Sequence, residues 1–251
     1  MRLHRYLYAA FSTAALAFAI TPAISHASIV IGATRIIYDA AGGEQTVRLT
    51  NKGESPSLVQ TWLDTGAEQA ERATLEVPFV VSPPMSRVDP GKSQTLRIIH
   101  SGEPMPQDRE SVFWLNVLDV PARPAAANGE NYLQFSFRSR IKLFFRPAGL
   151  AGTAAQAPAQ LTWQLATKDS QPILQVSNPT PYHVSFAAVE LATGGQTLAV
   201  QEPGMLAPFE TRALTLPRAA TASAGTRVRY QFVNDYGGIT EEEAALQGPS
   251  R

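Results

Sequence analysis

The residues able to do chemistry gather in one run. Between Leu133 and Pro147 the chain reads LQFSFRSRIKLFFRP, which sets Arg138, Arg140, Lys142 and Arg146 beside Leu133, Phe135 and Phe137. Apolar and polar residues alternate at its start as they do in a half-buried strand. If the apolar row covers only the protein's own core, the strand is ordinary; if it is offered outward, the strand is a binding edge. Catalytic or metal chemistry has little material elsewhere. Beyond the N-terminal leader the histidines are His100 and His183, and cysteine is absent, which argues against a zinc or copper site. No G-x-S-x-G elbow, Walker loop or G-x-G-x-x-G follows a strand. Asp235 in NDYGG resembles a carboxylate beside a flexible loop, but between two strand patterns the segment reads as a turn.

The elements that must position these residues are short strands. SIVIGATRIIYDA and QTVRLTN flank AGGE (Ala41 to Glu44), a Gly-Gly turn of the hairpin kind. SLVQTWLDT, PFVVSPP, QTLRIIHS and ESVFWLNVLDV follow, and Leu133 to Arg146 brings the number to about seven. That is the number expected of an immunoglobulin-like sandwich. At Pro147 to Gln160, PAGLAGTAAQAPAQ reads as a hinge plus a surface loop. Strands resume with LTWQLATKD, PILQVSNPTP, HVSFAAVELA, QTLAV, TRALTLP and RVRYQFVNDYGG, a second all-β domain. The closing EEEAALQGPSR reads as a weak last strand or a frayed end. The expected division is therefore 1–27, 28–147 and 148–251.

The first of these segments is a leader. Arg2 and Arg5 precede an apolar stretch from Ala9 to Ile20, which closes on Ser25-His26-Ala27. This is the anatomy of a secretory signal peptide cleaved after Ala27. The apolar stretch is too short to span a bilayer, which needs roughly 20 residues. Removing Arg2 and Arg5 from 21 basic residues leaves 19 against 21 acidic ones, so charge gives no reason to expect nucleic acid or an anionic membrane as partner. Without cysteine the core must hold without covalent staples.

Six blocks in order resemble the periplasmic pilus chaperones, the PapD-like family: GATRIIY, SPPMSRVDPGKSQTLRI, PQDRESVFWLNVLDVP, RIKLFFRP, NPTPYHVSF and NDYGG. The resemblance implies an all-β chain of two immunoglobulin-like β-sandwich domains in a boomerang with a cleft between them. It implies a periplasmic protein without cofactor, metal, catalytic activity or small-molecule substrate. Its partners would be pilus subunits and an outer-membrane usher. Each subunit lacks its last strand, and the chaperone lends it the last strand of domain 1. Leu133, Phe135 and Phe137 would then fill the subunit's groove, and this would answer why an apolar row is offered outward.

The resemblance further implies that Arg35 and Lys142 hold the subunit's C-terminal carboxylate. Strict alternation puts Lys142 on the face opposite Phe135 and Phe137, so this role requires a bulge or strong twist between Phe137 and Lys142. Glu110, Arg146 and Asp235 match an interdomain charge cluster that fixes the angle between domains. The loop Ala122 to Asn131 is short and free of cysteine, like the short-loop kind that serves rod-like or thicker pili. Self-association through the donor edge is an open outcome for the free chain. Two rival readings stand beside this one: a secreted immunoglobulin-like adhesin or pilus component, and a periplasmic hydrolase with an unrecognised site.

Overall fold

The structure, a computed structural model, describes residues 28–66, 77–122, 133–168, 171–217, 220 and 225–247. The expected leader lies outside them, as does the expected loop apart from Ala122. No helix among the described residues is long and apolar enough to cross a membrane.

Period-two alternation builds the first domain. In β3 (Glu44–Asn51) Val47 and Leu49 are buried while Thr46 and Arg48 face outward. Antiparallel β7 (Ser93–His100) sets Leu96 opposite Val47. With β1 (Ile29–Ile31) and β5 (Phe79–Ser82) they form a sheet of order β1-β3-β7-β5. The facing sheet runs β2-β9-β8-β4-β6, from β2 (Arg35–Asp39), β4 (Ser57–Asp64), β6 (Met85–Val88), β8 (Ser111–Pro121) and β9 (Phe137–Arg146). Leu49, Leu96, Ile98, Leu115 and Leu143 lie fully buried between them. Each such side chain contributes about 1.5–3 kcal/mol on leaving water. At the domain's outset Ser28 Oγ donates to the buried Asp119 carboxylate, and the Ile29 amide donates to the same oxygen (3.3 Å). Asp119 Oδ1 has no partner among the described residues.

The second domain repeats the plan around Trp163, Leu174, Leu191, Leu206 and Val228. One sheet runs β10 (Thr162–Lys168), β11 (Gln171–Ser177), β15 (Thr211–Thr215). The other runs β13 (Gln196–Ala199), β12 (Val184–Thr193), β16 (Arg227–Val233), β17 (Ile239–Ala245), with β14 (Met205–Leu206) also on β12.

The structure departs from the sequence reading at five places. Ile29–Asp39, expected as a single strand, is divided between the two sheets as β1 and β2, and after the expected strand PFVVSPP the chain forms a further strand, β6, that joins the sheet facing β5. The Ala41–Glu44 turn forms with Gly43 at φ 73°, but it is no hairpin. It carries the chain across the sandwich, since β2 pairs with β9 and β3 with β1 and β7. The last strand of domain 1 starts at Phe137, not Leu133. In the expected surface loop, Ala157 and Pro158 are buried under the second core, and the Pro158 carbonyl accepts from Tyr230 Oη (2.9 Å). Of the two readings of the tail, the strand prevails: β17 pairs with β16 from Val233↔Ile239 to Arg227↔Ala245.

Candidate functional site

Strand β9 is paired unequally on its two edges. Against β8 it is paired from Phe137 to Phe145. On its other edge β2, running parallel, covers only Lys142 to Arg146. The edge from Phe137 to Ile141 therefore has no neighbour among the described residues. Upstream, Leu133 and Phe135 are 78% and 61% exposed, and Phe137 is 48% exposed. An apolar row beside an unpaired edge is a hazard for aggregation unless it is a place of docking.

The register along β9 is unbroken, so of the expected bulge or strong twist between Phe137 and Lys142 no bulge is present. Alternation alone decides the faces. Ile141, Leu143 and Phe145 turn into the first core, and Phe137 shares their face beyond its end. Arg138, Arg140, Lys142, Phe144 and Arg146 look the other way. Lys142 reaches the interdomain face because it lies opposite the apolar row, not in spite of that.

Arg35 and Lys142 are register partners at the point where β2 begins. Arg35 Nη1 donates to the Val233 carbonyl of domain 2 (2.7 Å) and its guanidinium stands over Phe144 (5.5 Å). Lys142 Nζ lies 3.3 Å from Ser185 Oγ and 5.5 Å from the centre of the Trp114 ring. Neither cation has a carboxylate within ion-pair distance among the described residues. Burial, with the Arg35 charge added, pushes the Lys142 ammonium down to about 8. Burial also lowers Arg35, against the pull of Asp235 and Glu110. Two half-buried cations without a counter-ion form a site for an anion.

The expected trio Glu110, Arg146 and Asp235 does come together. Arg146 donates Nε to Glu110 (2.7 Å) and forks Nη1 and Nη2 onto Asp235 (2.8 and 3.0 Å). Burial alone would lower the Arg146 pKa; the two carboxylates outweigh it and hold the guanidinium above its ordinary range. Glu110 also accepts from the His183 amide (2.8 Å), and its own amide donates to the Pro181 carbonyl (2.9 Å). On the hairpin between β16 and β17, a Cβ at Gly237 would run into Thr34 Oγ1. The domains share a cavity of about 340 Å³ whose walls include Arg35, His183, Asp235 and Tyr236. His100 takes no part: its ring packs on Phe79 and Phe145 in the first core. No group of three or more described His, Cys, Asp or Glu residues is placed to hold a metal.

Residues 28–151 match the pili and flagellar-assembly chaperone PapD N-terminal domain, and residues 156–244 match the pili assembly chaperone PapD C-terminal domain. The chain belongs to the PapD-like pilus-assembly chaperones. It is 42% identical to the chaperone protein FimB/FhaD of Bordetella pertussis, over 98% of each chain. To the probable fimbrial chaperone YadV of Escherichia coli K12 it is 41% identical, over 93% of this chain and 97% of YadV. The YadV crystal structure matches with a TM-score of 0.74 at 40% identity, covering 87% of this chain and all of that one. A Salmonella enterica SafA pilin–SafB chaperone complex matches with a TM-score of 0.73 at 28% identity, over 89% of this chain and 99% of that one. The function of this family is assembly of pili.

Among PapD-like chaperones the motif blocks point to Arg35, Lys142 and the charge trio, but not to their surroundings. His183, weighed from the sequence as a metal ligand, donates its backbone amide to Glu110 and packs its ring against Phe144. Ser185 and Trp114 beside Lys142, and Asp64 beside Arg140, carried no signal in spacing. Each becomes a neighbour only through cross-strand register or domain contact.

Proposed function

We propose that this chain is a periplasmic chaperone, exported with loss of residues 1–27, that receives pilus subunits lacking one strand. Its first domain, 28–147, lends β9 to the subunit and its second, 148–251, completes the cleft. One observation carries the reading: the open edge of β9 ends where Arg35 and Lys142 stand side by side, with no carboxylate in ion-pair distance among the described residues. A subunit strand pairing with Phe137–Ile141 in the track of β2 would run parallel to β9. Its C-terminal carboxylate would then arrive at the cation pair, which fixes how far the strand slides. Leu133, Phe135 and Phe137, on the opposite face, would enter the subunit's apolar groove. The Arg146 cluster would hold the domains at their working angle. Family membership supports delivery to an outer-membrane usher and assignment to the short-loop kind. A pilin solved in complex with a related chaperone is consistent with such a partner.

The test is subunit yield when the tagged chain is purified from periplasm. Lys142→Ala should lose the subunit, since an unpaired carboxylate in a dry cleft costs about 2–5 kcal/mol. Phe135→Glu should lose it by placing a carboxylate in the apolar groove. Lys168→Ala, in the second domain, should leave the yield unchanged. Retention of subunit by both cleft variants, with circular dichroism showing them folded, would refute strand donation.

A further inference from the structure

Beside the open edge of β9 lie two more cations that the anchoring role leaves unused. Arg138 and Arg140 share one carboxylate, Asp64, whose side chain is 1% exposed. Arg140 Nη2 donates to Asp64 Oδ1 at 2.8 Å, while Arg138 Nη2 reaches Oδ2 only at 3.3 Å. Asp64 is already satisfied by Asn116 Nδ2 and the Gly66 amide (2.8 Å each), and these bonds with Arg140 hold its pKa down against burial. Each guanidinium is braced on an indole: Arg138 over Trp62 at 5.1 Å and Arg140 over Trp114 at 4.9 Å. Arg140 Nε is buried without a partner among the described residues. Two oriented cations thus face one buried carboxylate, on the same side of the sheet as Lys142, and the surplus charge is fixed in place before any ligand arrives.

We propose that Arg138 and Arg140 select subunits whose last strand carries acidic side chains on its outward face. This rests on the reading that a subunit strand occupies the open edge. The register supplies the geometry: Arg35 lies opposite Lys142, so a strand in the same track sets alternate residues opposite Arg140 and Arg138. In-register neighbours share a face, so those two positions project beside the guanidinium pair, and the intervening ones project toward the apolar row. The terminal carboxylate answers Arg35 and Lys142. With the last residue opposite Ile141, an aspartate or glutamate one or three residues further back lies opposite Arg140 or Arg138 and answers the surplus there.

The experiment measures binding of synthetic peptides of alternating apolar and polar residues, ending in a free carboxylate, to the purified chain. Replacing the polar pair from Gln to Glu should tighten binding about tenfold. That preference should shrink with added salt and disappear in Arg138→Gln, the less buried member of the pair, while the Gln peptide binds this variant as before. Equal binding of Glu and Gln peptides, with amidation of the C-terminus still weakening both, would overturn the acidic preference and leave the anchor intact. Amidation without effect would overturn the anchored strand and this inference with it.

Discussion

Lys142 is where a single proton decides the outcome. In the unfolded chain it titrates near 10.5 and in the ligand-free fold at about 8. Between those values the unfolded state holds the extra proton, so stability of the free chain rises with pH over that interval, and below about 8 the cost of the buried charge is constant. Binding runs the opposite way. A carboxylate needs the ammonium form, so affinity for a free-carboxylate peptide should fall above about pH 8, at up to about tenfold per unit. Denaturant titrations across this range should show the rise in stability in the parent and none in Lys142→Met. Peptide titrations should show the loss of affinity in the parent and a flat profile in Lys142→Arg, whose guanidinium stays charged. A flat profile in the parent would remove Lys142 from the anchor. At this scale the sequence was legible where the family resemblance gives a residue in a motif block a role, as it does for Arg35 and Lys142. It was silent on Ser185 and Trp114, because a contact between domains or across strands leaves no periodic trace along the chain.

Strands were the most legible elements, since alternation such as Val47-Arg48-Leu49 is local and needs no knowledge of the partner. Which sheet a strand joins is not local. Alternation continues across Gly32 while the chain passes from β1 to β2, so the division of Ile29–Asp39 was invisible. The apolar row and the proposed anchor lie on two faces of one regular strand. The joint between domains is an element in its own right, made from the β9 terminus, the segment before β12 and the β16–β17 hairpin. Arg146→Ala should loosen it, because Glu110 stays buried with its ion pair broken, at a cost of about 3–5 kcal/mol. Gly237→Ala should act through shape: φ is 84° and Thr34 occupies the space a methyl needs. Thermal unfolding should register both variants, and small-angle scattering should show a wider spread of shapes. Unchanged melting and scattering in both would mean the joint does not set the angle.

The whole molecule is two sandwiches, the first of which leaves the β9 edge from Phe137 to Ile141 without a neighbour among the described residues. Its two cores are separate and apolar, which was legible from composition: turn residues at short intervals, no long helical period, and a Pro/Ala/Gly stretch between the halves. Where the first sandwich begins matters as well. Export with cleavage after Ala27 should give an intact mass starting at Ser28, and a periplasmic product that still carries Met1 would contradict it. That cut would create a charge that the precursor lacks. Ser28 already hydrogen-bonds the buried Asp119 carboxylate, whose second oxygen is unpartnered among the described residues. Processing would convert the Ser28 nitrogen from an amide into an ammonium on the residue whose hydroxyl already bonds that carboxylate. Removal of the leader would then do more than release the protein: it would lock the first strand onto β8 and make maturity a property of the fold. Material that begins at Ser28 should melt above the same chain carrying one extra N-terminal residue, and Asp119→Asn should abolish the difference. The freshly cut terminus would thus be a fastener, and a tag fused there would leave it undone.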